Sequence, residues 1–291
     1  LDVLGGGMTP PRLVNPLAET EALLRPSLLP GLLAAVARNV GRGLPDVALF
    51  ETGVVFASPG SAAGSAPTAA HRPTDDELAA LDAALPAQPR HAGLALAGSR
   101  GGRQVDWADA VEAVLAMGRA LTLTLTTSRV EWGPWHPGRC AEILLDGRRV
   151  GFAGELHPRV IGRLGLPSHT VAAECNLDIL ISVAEQHGAV RAPVVSSYPP
   201  ASVDVAVVVD GDVPAADVAG ALRAGAGDLL EDLRLFDVYT GPQVGDGRRS
   251  LAYSLRLRAA DRTLTDVEVL AARDAAVAEA ARRVGAFLRG T

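Results

Sequence analysis

The sequence predicts an α+β chain in two domains, and three observations carry that reading. From residue 203 onward the segments run strand, helix, strand, strand, helix, strand within fewer than a hundred residues. Upstream, Asp146-Gly147 joins two alternating apolar stretches, 140–145 and 149–154, the signature of an antiparallel hairpin. Between these regions, residues 189–200 carry prolines and no periodicity, so the domain boundary is placed there. The chain's 291 residues leave room for one large domain or two ordinary ones.

In chain order, Pro30 suits the first turn of a helix that begins after Ser27, and Leu29, Leu32, Leu33 and Val36 recur at helical spacing towards a C-cap at Gly41. Residues 47–56 read as a buried strand pair or one bent strand. Residues 57–74 are rich in Ala, Ser, Pro and Gly and read as a mobile loop inside a domain. A strand is expected at 93–98. A helix capped by Asp106 follows to Leu121, with Trp107, Val111, Val114 and Leu115 on one side. After the hairpin comes a strand at 171–177. In the last segment, Val203–Val209 is a strand, a helix opens at Asp212-Val213-Pro214, and Leu233–Tyr239 and Ser250–Arg258 are strands. Thr265-Asp266-Val267-Glu268 is a capping box whose helix ends at Gly285, and 286–289 is a closing edge strand. That βαββαβ order is the ferredoxin-like split unit.

Composition excludes several classes. Hydrophobic residues make up 48% and charged residues 21%, which rules out wholesale disorder. The formal net charge of −6 argues against a generally basic nucleic-acid coat. There is no lysine, so each of the 27 basic residues is an arginine with a planar, forked donor. Cys140 and Cys175 form neither a disulfide framework nor a zinc site and fit a reducing compartment. No run approaches about 18 apolar residues, so no membrane span is expected. Leu1 opens the sequence without a signal-peptide pattern, which suggests a fragment of something longer.

No self-contained active site assembles from motifs. Gly-x-Ser-x-Gly, His-Glu-x-x-His, a Walker loop and Cys-x-x-Cys are all absent. Gly5-Gly6-Gly7 follows no strand, His136 and His157 precede prolines as turn residues, and Cys140 sits in a core strand. Catalytic and metal-binding residues are therefore expected to be none.

The Ser250–Arg258 strand is more informative. Alternation puts Leu251, Tyr253, Leu255 and Leu257 on one face and Ser250, Ala252, Ser254, Arg256 and Arg258 on the other. In a ferredoxin-like domain both helices cover one face, so the second face is open, with Arg248, Arg249, Arg256, Arg258 and Arg262 on it or at its rim. Residues 197–291 hold 11 arginines against 14 acids, a net charge of −3, so this is a local basic patch in an acidic domain. In the preceding strand, Phe236 and Val238 are expected in the core, with Asp237 and Tyr239 on the open face. There a ring can stack on a base and a carboxylate can accept from its amino groups. A solvated face with surface ion pairs fits the same spacing.

These residues resemble a known family. Leu24-Arg25-Pro26-Ser27-Leu28-Leu29-Pro30-Gly31, Leu49-Phe50-Glu51-Thr52-Gly53, His136-Pro137-Gly138-Arg139-Cys140-Ala141, Gly151-Phe152-Ala153-Gly154-Glu155-Leu156-His157-Pro158, Leu235-Phe236-Asp237-Val238-Tyr239 and Thr263-Leu264-Thr265-Asp266 are similar, in order, to the C-terminal part of bacterial phenylalanine–tRNA ligase beta subunits. The resemblance implies that residues 1–195 form a catalytically degenerate class II synthetase-like module, an antiparallel sheet with helices. Residues 197–291 would be a ferredoxin-like anticodon-binding domain. It further implies anticodon contacts from Asp237, Tyr239, Ser250 and Arg289. Val203-Asp204 stands where the family has Arg-Asp, so that contact is not carried over.

Implied partners are the alpha subunit, tRNA(Phe) and a second alpha/beta pair, in the cytoplasm. ATP and Mg²⁺ would serve the whole ligase, with no cofactor bound by this chain and no editing module in it. A free-standing RNA-binding protein or an independent enzyme are the rival classes.

Overall fold

The computed structural model describes residues 10–19, 22–56, 72–188 and 196–289. The chain divides into two compact units, Leu1–Val190 and Arg191–Thr291. Most of the 57–74 segment and the Gly5–Gly7 run lie outside the described residues.

The first unit runs α1 (Leu29–Gly41), β1 (Val47–Val54), α2 (Asp75–Ala84), β2 (Arg90–Ala97), the two-residue strands β3 (Ser99–Arg100) and β4 (Arg103–Gln104), α3 (Trp107–Ala120), β5 (Leu125–Arg129), β6 (Trp135–Leu145), β7 (Arg148–Leu156), α4 (Pro158–Leu164), β8 (Val171–Asn176) and α5 (Leu177–Gln186). Six strands form one sheet in the order β1-β2-β8-β7-β6-β5, and every neighbouring pair is antiparallel.

The sheet is covered on both faces. Leu29, Leu32, Leu33 and Val36 of α1 and Val160 of α4 pack with Ala95, Ala97 and Ala172. Ala110, Val111 and Val114 of α3 and Leu180 of α5 pack with Leu96, Val171 and Ala173 on the other side. A strand buried on both faces has no polar side to show. This is why Val171, Ala172 and Ala173 of β8 are apolar in succession instead of alternating.

The Asp146-Gly147 hairpin forms as expected. Asp146 has φ 50° and Gly147 φ 76°, the pair of positive values that a two-residue turn matching the strand twist requires. The strands it joins extend further than the alternation indicated. Asp106 caps α3 by accepting from the Ala108 amide. Trp107, expected on the packed side, is 47% exposed, because the buried stripe runs through Ala110, Val111, Val114 and Gly118. Helix α1 includes Gly41 and is capped by Arg42, one residue later than expected.

The second unit runs β9 (Ala201–Asp210), α6 (Ala215–Ala226), β10 (Leu230–Tyr239), β11 (Arg248–Leu257), α7 (Asp266–Val284) and β12 (Phe287–Leu288). Its sheet order is β10-β11-β9-β12, antiparallel throughout, which is the ferredoxin-like arrangement. The Thr265–Glu268 capping box is closed in both directions and Gly285 ends α7. Val218, Ala221 and Leu222 of α6 and Ala276 and Ala280 of α7 bury Leu251, Tyr253 and Leu255. Leu257 packs beside Ala272. Both helices therefore sit on one sheet face. Among the described residues, no helix is long and apolar enough to cross a membrane.

Gly154 shows how tightly β6 and β7 approach. A Cβ built there would lie 2.2 Å from the Arg139 carbonyl oxygen, and backbone cannot yield as a flexible side chain can. Gly154→Ala is expected to destabilise the first unit by about 1–3 kcal/mol. A urea midpoint equal to wild type would contradict the close packing.

Candidate nucleic-acid interface

Cross-strand partners share a sheet face, so the register of the second unit defines its uncovered side row by row. Asp232 pairs with Arg256 and Arg256 with Ser202, and the next row is Arg234, Ser254 and Asp204. Asp237, Ala252 and Ala206 follow, then Tyr239, Ser250, Val208 and Phe287. Asp237 and Tyr239 thus share the uncovered face, above a floor of small residues. Asp237 is exposed and makes no ion pair or side-chain hydrogen bond with any described residue.

The expectation that Phe236 and Val238 lie in the core is corrected. They are 48% and 50% exposed. A register shift between Leu235 and Asp237 leaves Phe236 without a partner on β11. This β-bulge interrupts alternation, so Phe236 is not on the core side opposite Asp237. Val238 does pair with the buried Leu251, but β10 is an edge strand and the cover thins there.

Arg289 and Tyr239 meet across the sheet. The Arg289 guanidinium lies 4.8 Å from the Tyr239 ring centroid, and its Nη2 donates to Gln243 Oε1 at 2.7 Å. Tyr239 ends one edge strand and Arg289 directly follows the other, and their side chains close over the row between them. Ser250 and Val208 are each only 2% exposed although no helix covers this face. A Cβ on Gly241 would lie 2.5 Å from the Tyr239 hydroxyl, so the glycine leaves room for the ring.

The other arginines differ in how free they are. Arg256 donates to Glu231 Oε2 at 2.5 Å with its side chain 50% exposed. Arg258 donates to the carbonyls of Tyr198 (2.7 Å) and Ser196 (3.2 Å). Its Nε is 2.8 Å from Glu231 Oε1, an ion-pair contact without hydrogen-bond alignment. Burial pushes the Glu231 carboxyl up, but hydrogen bonds from Arg256 and Arg258 outweigh it and hold the group below the usual carboxylate range. Arg258 clasps the entering segment, Arg262 pairs with Asp261 and Glu268, and Arg249 donates to the Val213 carbonyl. Arg234, Gln243 and Phe287 also belong to this face and were not singled out from the sequence. Phe287 shares the face of Arg289 two residues on, a signal that alternation carries.

The first unit's polar clusters close on themselves. Glu174 is held by Ser27 Oγ (2.5 Å), the Leu28 amide and His91 Nδ1 (2.6 Å), which pins the start of α1 to β8. Arg25 bonds Glu51 at 2.5 Å and the Val54 carbonyl at 2.9 Å. Arg139 donates to buried Glu155 at 2.8 Å, with His169 Nδ1 3.2 Å away. The expectation of turn residues is corrected: His136 lies in β6 and accepts the Gly138 amide through Nδ1, and His157 caps α4 by accepting the Arg159 amide. Among the described residues there is no group of three or more His, Cys, Asp or Glu that could hold a metal ion.

The resemblance read from the motifs is matched by the comparisons. Residues 7–177 match the family described as Phenylalanyl tRNA synthetase beta chain CLM domain. The chain belongs to that family. Residues 196–289 match the Ferredoxin-fold anticodon binding domain. Within the beta-chain family, the phenylalanine–tRNA ligase beta subunit of Streptomyces avermitilis is 55% identical over 291 residues, covering 96% of this chain and 35% of that protein. The corresponding subunit of Thermobifida fusca is 53% identical, with 96% and 35% covered. That of Cutibacterium acnes is 50% identical, with 96% and 34% covered. The chain thus spans about a third of the length of the beta-chain relatives it matches.

The closed row yields a direct test in this beta-chain relative. Burial pushes the thiols of Cys140 and Cys175 up to about 11, so neither competes for a thiol reagent at neutral pH. A Ser250→Cys variant should label slowly, and adding Arg289→Ala should speed labelling several-fold. Equal rates would show that Arg289 does not cover Ser250.

Proposed function

We propose that this chain is the C-terminal part of a phenylalanine–tRNA ligase beta subunit, acting in translation by binding and not by bond-making. In this reading the whole enzyme joins phenylalanine to tRNA(Phe) using ATP and Mg²⁺ at its alpha subunit, in the cytoplasm, as a pair of alpha/beta units. Residues 1–195 are the catalytically degenerate class II synthetase-like module that scaffolds the alpha subunit. Residues 197–291 grip the anticodon loop. The observation that carries the proposal is the one-sided sheet of the second unit. It presents Asp237 and Tyr239 together on its uncovered face, in a domain whose family is anticodon-binding.

The chemistry follows from the side chains. Tyr239 offers a ring on which any base can stack, and Asp237 accepts only from amino or imino hydrogens, so the pair discriminates among bases. Ser250 lies beneath Arg289 and Tyr239, so it reaches RNA only when those two part. Arg289 then becomes available as a phosphate or base-edge donor. Arg256, half exposed at the far end of the face, is the phosphate contact, and Arg258 orients that end through Glu231. Binding here lowers the energy of correctly placed tRNA, so the acceptor end meets the catalytic subunit.

Tyr239→Ala should weaken binding of a phenylalanine-accepting tRNA at fixed salt by at most roughly 1–3 kcal/mol, the value of one stacked base less that of the Arg289 contact it displaces. Unchanged affinity with the fold intact would remove the site. Arg256→Ala should lower the salt slope of binding by about 0.7–0.9. An unmoved slope would leave Arg256 as a surface partner of Glu231 only.

A further inference from the structure

Beside the Tyr239–Arg289 pair lies a hollow of about 630 Å³, lined by Val208, Gln243, Val244, Arg248, Phe287 and Arg289. Its floor is apolar, since Val208 and Val244 are buried, and Phe287 on β12 supplies an aromatic wall that is 45% exposed. Two cations stand at its rim. Arg248 lies over the Phe287 ring at 5.3 Å and Arg289 over the Tyr239 ring at 4.8 Å. The other tie of Arg248 is a 3.3 Å ion pair to an exposed Asp210, an interaction of little worth in water. Both guanidinium groups can therefore exchange a ring for a phosphate.

We propose that this hollow is a second nucleotide subsite. It takes the base and phosphate of the loop nucleotide adjacent to the one held by Asp237 and Tyr239, and it rests on the anticodon reading above. A planar ring suits the apolar floor and the Phe287 wall, and a phosphate suits the paired arginines. A bare anion would leave the floor unfilled, and an apolar peptide side chain would leave two cations without counter-charge. Arg289 lines both subsites, so they lie on one continuous path along the sheet. The ligand chemistry is that of a nucleoside monophosphate, which a loop residue or a free nucleotide can present.

The full chain is titrated with a synthetic anticodon stem-loop of a phenylalanine-accepting tRNA, with the same hairpin carrying single abasic positions around the loop, and with free AMP and GMP. Phe287→Leu should weaken the intact hairpin roughly tenfold. One abasic position should weaken wild type by a similar factor and add nothing in Phe287→Leu, a coupling that loss of structure would not produce. Arg248→Gln should lower the salt slope by about 0.7. Saturable binding of AMP or GMP, with hairpin affinity indifferent to Phe287→Leu, would assign the hollow to a free nucleotide and overturn the proposal. If Tyr239→Ala weakens the hairpin while Phe287→Leu and Arg248→Gln bind it as wild type does, the subsite falls and the anticodon reading stands. If Tyr239→Ala also binds as wild type, the anticodon reading falls with it.

Discussion

Burial of Leu251, Tyr253, Leu255 and Leu257 beneath α6 and α7 determines which side chains of β11 face away from the core. A strand alternates, so slipping its register by one residue would exchange the two faces at the cost of four buried side chains. Tyr253 adds direction, because its hydroxyl donates to the Ala215 carbonyl at 2.8 Å at the start of α6. With β11 fixed, its neighbours are fixed by backbone pairing. Asp237, Tyr239, Arg248 and Phe287 then take their places on the opposite side. The candidate interface is the remainder left when two helices cover one face of a four-stranded sheet and no described element of the unit covers the other.

The first unit illustrates a different use of charged residues. Its matched motifs pair with one another. Arg25 of the Leu-Arg-Pro-Ser run meets Glu51 of the Phe-Glu-Thr-Gly run. Ser27 meets Glu174, and Arg139 meets Glu155. Each pair joins segments distant in the chain; both oxygens of buried Glu174 accept, and buried Glu155 accepts through Oε1. Removing Arg139 or Ser27 would leave buried Glu155 or Glu174 short of a donor, which costs more than the pair itself contributes. Such residues are held by architecture, so a motif here marks a joint in the scaffold.

Much of the second unit was legible in the sequence because its signals are local. The capping box at Thr265, the alternation of β11 and the valines of β9 each predict their element without tertiary context. The first unit was less legible for physical reasons. Helix α2 buries no residue, so it shows no apolar stripe. Helix α4 is only seven residues, and α5 follows β8 directly with Asn176 capping it, so the apolar run of the strand continues into the helix. On the candidate interface, alternation located Asp237 and Tyr239 but misplaced Phe236, since a bulge leaves no mark in hydropathy. The closure of Arg289 over Tyr239 joins residues fifty apart through a tertiary contact and has no sequence signature at all.

That closure has an energetic consequence. The platform on Tyr239 is already occupied by an internal competitor, since a guanidinium over an aromatic ring is itself a favourable contact. An incoming ring gains only the difference between its own stacking and the one it displaces. Whatever the ring, the same contact must be given up first. The closure lowers the affinity for every ring alike and leaves any preference between rings to the groups beside it.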